Sequence, residues 1–146
     1  MNFSHQELQG LLSTFGGVIL YKPLTGEVDY TNSTFPLELH VNKVVVESNE
    51  NKDPFVLADK CVEYFKKNTP YILLPGTRFD IYGTRHGRGG GWYDRFLSKV
   101  SRSWLRIGVT DASRLSSRRL EKQPWDEIMD FIIVQKESSW NIYKTT

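Results

Sequence analysis

The residues with the most chemistry in this chain lie between Gly83 and Arg95, in the order Gly-Thr-Arg-His-Gly-Arg-Gly-Gly-Gly-Trp-Tyr-Asp-Arg. Gly87, Gly89, Gly90 and Gly91 are four of the eleven glycines of the whole protein. Glycine reaches positive φ at little cost, so such a run can turn several backbone N–H groups toward one concavity that traps an anion. Arg85, Arg88 and Arg95 would reinforce the trap with guanidinium forks. Asp94 follows the last glycine by three residues, where a carboxylate can hold a cation beside the captured anion. The types and the spacing outline a phosphate site. A helix beginning at Trp92 would point its positive end at the same place.

Two common nucleotide motifs are absent. A P-loop needs Gly-Lys-Ser/Thr after its glycines, and Trp92-Tyr93 stand there instead. The dinucleotide fingerprint needs a further glycine where Trp92 lies. A plainer reading of the same stretch is a flexible glycine-arginine turn, with Asp94 favouring the first turn of a helix and Trp92 in the core. The ordered Trp-Tyr-Asp-Arg-Phe-Leu start behind the glycines argues against mere flexibility.

The elements that would position this loop alternate between strand and helix. Gly17–Tyr21, Lys43–Glu47 and Tyr71–Leu74 are compact apolar runs of the kind buried on both faces of a parallel sheet. Arg106–Val109 and Phe131–Val134 read as two more strands, and Trp140–Tyr143 as a last edge strand. His5–Thr14 is a short helix ended by Gly16-Gly17. Asp53-Pro54 caps a second helix, on which Phe55, Ala58, Cys61, Val62 and Phe65 share one face. Tyr93, Phe96, Leu97, Val100 and Trp104 keep helical spacing after the glycines. Ser113–Gln123 is polar and reads as a surface connection. The expected fold is α/β, one three-layer α/β/α domain with a mostly parallel sheet. Ligands of such sheets sit beyond the carboxyl ends of the strands, which is where a loop following the third strand would lie.

Composition sets the bounds. A formal charge of +2 over 146 residues gives no general case for nucleic acid or membrane. Between residues 78 and 119, however, ten basic residues face three acidic ones, a local field suited to an anionic ligand. Cys61 is the only cysteine, no apolar run is long enough to span a bilayer, and no signal peptide is visible, so the expectation is a cytoplasmic protein.

The segment Leu74-Pro75 through Phe79-Asp80, followed by Gly83-Thr-Arg-His-Gly-Arg-Gly-Gly-Gly-Trp-Tyr-Asp-Arg95, resembles the signature of the 5-formyltetrahydrofolate cyclo-ligase family. Gly17–Tyr21 with Glu27-Val-Asp upstream, and Ile107-Gly-Val109 with Asp126–Ile133 downstream, are similar in order to the family's flanking segments. The resemblance implies a ligase in which ATP, with Mg²⁺, activates the formyl oxygen of a reduced folate so that a neighbouring nitrogen closes the ring. It implies Arg85 and Arg88 as catalytic cations. Arg85, Gly87, Arg88, Gly89, Gly90, Gly91, Trp92 and Tyr93 would hold ATP. Lys22, Glu27, Arg88, Gly89, Gly90, Gly91 and Trp92 would contact folate, and Asp94 and Asp130 would bind the metal. Each has a plainer reading: Glu27 as a solvated turn residue, Lys22 as surface, and Asp130 as a loop carboxylate ahead of a strand.

The chain also departs from that family. Met1–Phe15 contains neither Lys nor Arg, whereas the family's N-terminal helix carries a lysine of the ATP site, and 32–69 is compressed. His86 stands where an aliphatic residue is usual. The domain expected for 1–146 is therefore a cyclo-ligase-like one lacking the basic N-terminal helix. Alternatives are a non-catalytic relative that binds nucleotide or folate, and a nucleic-acid binder drawing on the basic second half. The latter would lose affinity steeply with salt.

Overall fold

Every residue of Gly17–Tyr21 (β2) and of Pro70–Leu74 (β4) is buried, the pattern of central strands covered on both faces. They pair in parallel, with Val18 beside Tyr71 and Ile19 beside Ile72. The computed structural model describes residues 2–145. In chain order the remaining elements are β1 (Asn2–Phe3), α1 (His5–Leu12), β3 (Lys43–Val46), α2 (Pro54–Tyr64), β5 (Arg78–Asp80), β6 (Arg85–His86), α3 (Trp92–Ser98), β7 (Arg106–Asp111), β8 (Leu115–Ser116), β9 (Phe131–Lys136) and β10 (Ser139–Lys144). The large sheet has seven strands in the order β1-β10-β9-β7-β4-β2-β3. Its five central and far strands run parallel, and β10 and β1 close the other edge antiparallel. The mixed α/β architecture with a mostly parallel sheet agrees with the sequence reading.

Alternation along β2 and β4 sends neighbouring residues to opposite faces. On one face the Phe65 ring, at the end of α2, fills the space where a Cβ on Gly17 would project, and it meets Trp104 edge-on. On the other, Tyr71 meets Phe15, just beyond α1, edge-on. Helix α1 starts on Ser4, whose hydroxyl accepts the Glu7 N–H, and it buries Leu8 and Leu12. Helix α2 starts as expected, with Asp53 accepting from the N–H groups of Phe55 and Val56 and Pro54 in its first turn. Among the described residues, no helix is long and apolar enough to cross a membrane.

Three details differ from the sequence reading. Trp140–Tyr143 lies in β10, but β1 pairs with it, so β10 is not an edge. Helix α3 stops at Ser98, and Val100 and Trp104 reach the core from the loop that follows. A second sheet, β6-β5-β8, is built from segments of only two or three residues, too short to leave a period in the sequence.

Candidate functional site

The small sheet launches the glycine loop. Asp80, fully buried, accepts the N–H groups of Tyr82 and Thr84 on Oδ1 and that of Leu120 on Oδ2, which fixes the turn from β5 into β6. Arg85 then enters β6 at 5 % exposure, donating Nε–H to the Pro75 carbonyl at 2.8 Å with its guanidinium 5.2 Å from the Tyr93 ring centre. Burial pulls this guanidinium down from its ordinary value, and the charges of Asp94, Tyr93, Glu27 and Asp126 oppose that. An arginine in such company stays charged.

Gly89 and Gly91 take φ of +97° and +65°, which only glycine adopts freely. A side chain at Gly89 or Gly90 would meet nothing within 4 Å, so both border open space. Gly91 caps α3 without a side-chain hydrogen bond. This loop lines a cavity of about 800 Å³ together with Arg85, His86, Trp92, Tyr93, Asp94 and Arg95. Its opposite wall is made by Leu24 and Glu27, and by Ser48, Asn49 and Glu50.

Most of the sequence-selected residues meet there. Glu27 is 7 % exposed in its side chain; it accepts the Leu24 N–H at 2.8 Å and lies 3.6 Å from Arg88 Nε. Arg88 also donates to the Thr25 carbonyl, so the bridge draws the glycine loop toward the turn at residues 24–27. Trp92 stacks one ring face on Phe96 at 5.7 Å and 10°, and its Nε1–H donates to the Lys52 carbonyl. It thereby pins residues 48–52 as a wall. Burial pushes the Tyr93 hydroxyl up to about 12, against a lowering by a Ser48 hydrogen bond. Half-buried Asp94 is raised above the usual carboxylate range by burial, with Asp126 and Glu127 adding to the rise and the Glu127 N–H and Arg85 opposing it.

Lys22 and Asp130 are not brought to this cavity. Lys22 is 64 % exposed in its side chain and pairs with Glu47 at 3.1 Å. The Asp130 carboxylate is held by both terminal nitrogens of Arg102, at 2.9 and 3.1 Å, and by the Arg106 N–H at 2.9 Å. It opens the β7–β9 ladder. Asp126 lines the cavity with Asp94, and Glu27 and Glu50 are its other carboxylates. The sequence places Asp126 four residues earlier in the same segment, after the turn signal Pro124-Trp125.

Arg106 fixes that segment from beneath. Its guanidinium is 1 % exposed and meets Glu127 at 2.5 Å, while the Glu127 N–H donates to Asp94 at 3.2 Å. Among the described residues no group of three or more His, Cys, Asp and Glu could hold a metal alone. The Asp94–Asp126 pair suits Mg²⁺, which takes one or two carboxylates and completes its shell with phosphate oxygens and water. A cation there would also offset the burial and the like-charge repulsion that raise Asp94. Of the basic residues that gave the second half its charge, Arg85 and Arg106 are buried, and Arg88, Arg102 and Arg114 are ion-paired. Of these basic residues, Arg85, Arg88 and Arg95 border the cavity.

A family model described as the 5-formyltetrahydrofolate cyclo-ligase family matches residues 42–135. The 5-formyltetrahydrofolate cyclo-ligase of Mycoplasma pneumoniae is 27 % identical over 118 residues, covering 80 % of this chain and 71 % of that protein. The protein of the same name from Mycoplasma genitalium is 27 % identical over 128 residues, covering 82 % of this chain and 73 % of that one. The solved structure of a 5,10-methenyltetrahydrofolate synthetase from Mycoplasma pneumoniae superposes with a TM-score of 0.58 at 19 % identity, over 88 % of this chain and 80 % of that one. At that identity the superposition speaks for the fold.

Proposed function

The chain belongs to the 5-formyltetrahydrofolate cyclo-ligase family, and from that premise we propose that it closes 5-formyltetrahydrofolate to 5,10-methenyltetrahydrofolate at the expense of Mg-ATP. The observation that carries this reading is the convergence of the glycine loop, Arg85, Arg88 and the Asp94–Asp126 pair on one cavity opposite Glu27. Mg-ATP would supply phosphorylation of the formyl oxygen, turning it into a leaving group that departs as phosphate when the neighbouring folate nitrogen forms the new C–N bond. The protein's part is alignment and charge neutralisation, which dominate phosphoryl transfer. Arg85 is preset by the Pro75 carbonyl and Tyr93, so it meets developing negative charge without reorganising. The unblocked amides of residues 89–91 would cradle phosphate oxygens. Asp94 and Asp126 would hold the metal, and Arg88 and Trp92 with the wall at 48–50 would border the folate.

A second reading is favoured by one feature. Helix α1 carries neither Lys nor Arg, and none of its residues lines the cavity. A protein that binds the same ligands without turning them over would be built in this way. Purified protein mixed with 5-formyltetrahydrofolate and Mg-ATP decides between them. The ligase produces the near-ultraviolet absorbance of the methenyl product; binding of both ligands with no absorbance rise at high protein concentration supports the second reading and removes the first.

A further inference from the structure

Beyond the glycine loop lies a second cavity of about 400 Å³, bordered by Gly89, Gly90, Gly91, Asp94, Arg95, Ser98 and Trp125. Trp125 lines both cavities. It is 68 % exposed, the most exposed aromatic side chain in the described structure. A flat indole left mostly in water on a cavity rim can stack on a planar ligand. The backbone that carries the indole is held in place. Residues Gln123-Pro124-Trp125-Asp126 form a turn closed twice: the Asp126 N–H donates to the Gln123 carbonyl at 3.1 Å, and the Gln123 N–H donates to Asp126 Oδ2 at 2.8 Å. Pro124 sits at the second position, where its fixed φ suits the turn. The ring is thus presented on a rigid mount, one residue before a carboxylate of the proposed metal pair.

We infer that Trp125 is the stacking platform for the purine base of the nucleotide. This rests on the reading of the glycine loop and the carboxylate pair as the Mg-ATP phosphate site. Two flat ligands compete for the assignment, the base and the folate ring system, and placement decides between them. Glu27 and the 48–50 wall border the first cavity only, whereas the second adjoins it across residues 89–91. A nucleotide whose phosphates lie on those residues has its base on the Trp125 side, and the folate keeps the Glu27 side. Stacking on an indole is tolerant of base identity, so this device grips the nucleotide more than it selects adenine. Trp92, the other tryptophan on the first cavity, has one face on Phe96 and does not border the second cavity.

The test compares Mg-ATP with Mg-tripolyphosphate, which has the phosphate chain and no base, on wild type, Trp125→Ala and Trp125→Phe. Trp125→Ala should weaken Mg-ATP about tenfold to a hundredfold, the range found when a stacking aromatic is removed. Mg-tripolyphosphate should bind wild type and Trp125→Ala alike, and Trp125→Phe should retain most of the ATP affinity. ATP should also quench tryptophan emission in wild type, with the quench lost in Trp125→Phe and absent with tripolyphosphate. The melting temperature without ligand should not move, since the ring is mostly in water. Unchanged ATP affinity in Trp125→Ala overturns the platform while leaving the phosphate site standing. Equal loss of both ligands overturns it too, because the turn and Asp126 were then disturbed. A raised KM for 5-formyltetrahydrofolate with unchanged ATP binding assigns the ring to folate and refutes the proposal. If wild type binds neither probe, the phosphate reading fails and this inference falls with it.

Discussion

The Arg106–Glu127 pair makes an asymmetric prediction. Arg106 is 1 % exposed in its side chain and Glu127 25 %, and they meet at 2.5 Å. The guanidinium has two other features: a long contact from its second terminal nitrogen to the Leu97 carbonyl at 3.4 Å, and an Nε–H with no partner. Burial pulls it down from its ordinary value, with the Glu127 hydrogen bond resisting. Removing the glutamate therefore leaves a desolvated cation with almost nothing to satisfy it, a defect worth about 3–5 kcal/mol. The partial exposure of Glu127 lets water reach the gap, which favours the lower end, about 3 kcal/mol. For a chain of this size that is a drop of roughly 10 °C in melting temperature. Removing the arginine is gentler. In Arg106→Met the stem is replaced by apolar volume and Glu127 can turn to solvent, so the cost should be about 1 kcal/mol.

Calorimetry or denaturant titration on Glu127→Ala, Arg106→Met and the double variant checks this. The double variant should resemble Arg106→Met, because the stranded charge is gone, giving a coupling of about 3 kcal/mol. If Arg106→Met proves the worse of the two single changes, the claim that desolvation dominates this pair is wrong.

Burial raises the Asp94 carboxyl, so the folded protein holds that proton more tightly than the unfolded chain, and the stability this gives at low pH is lost as pH rises through the raised value. Asp94→Asn should hence raise the ligand-free melting temperature at neutral pH, leave it unchanged in acid, and abolish the Mg²⁺-dependent part of the shift with ATP. In wild type that shift should reach roughly 8 °C at a hundredfold excess over Kd, from about 2.7 kcal/mol of linkage; an equal shift in the variant removes Asp94 from the metal site. Gly108→Ala should cost about 2–3 kcal/mol by overpacking, since its Cβ would fall against the Phe79 ring, and wild-type stability in urea would contradict this. Cys61 is buried, which pushes its thiol up to about 11. A thiol reagent at pH 8 should therefore label it at the rate of unfolding, and rapid labelling of native protein would show α2 to be open.

Much of the scaffold was legible because its signals are local. Strands β2, β4, β7 and β9 are apolar runs, and α2 announces itself through Asp53-Pro54. The glycine loop was legible for a different reason: its positive-φ positions admit few residues other than glycine, so the backbone conformation is written directly in the composition. What stayed hidden depends on pairing across distance. Strand β8 exists because Leu115 and Ser116 lie beside Phe79 and Asp80, thirty-six residues away. Likewise, the wall at 48–52 reaches the site through the Trp92 bond to Lys52, and no spacing rule relates those two positions.

The choice between Asp126 and Asp130 shows where sequence reasoning ends and geometry takes over. Both carboxylates lie in one short segment before a buried strand, and their chemistry as free side chains is the same. The difference is how many lone pairs the fold has already claimed. Asp130 receives the Arg106 N–H and both arms of Arg102, and its own N–H donates to the Arg106 carbonyl at 2.7 Å. It substitutes for a backbone acceptor where the β7–β9 ladder begins, and its charge is neutralised before any ligand arrives. Asp126 gives one oxygen to the Gln123 N–H and keeps the rest of its carboxylate on the cavity beside Asp94. Asp130→Asn should accordingly loosen the segment and lower stability, while leaving the Mg²⁺ concentration needed for nucleotide binding nearly unchanged. Asp126→Asn should do the reverse. A stronger metal defect in the Asp130 variant would mean that the arginine fork opens to admit the ion, and would return Asp130 to the site.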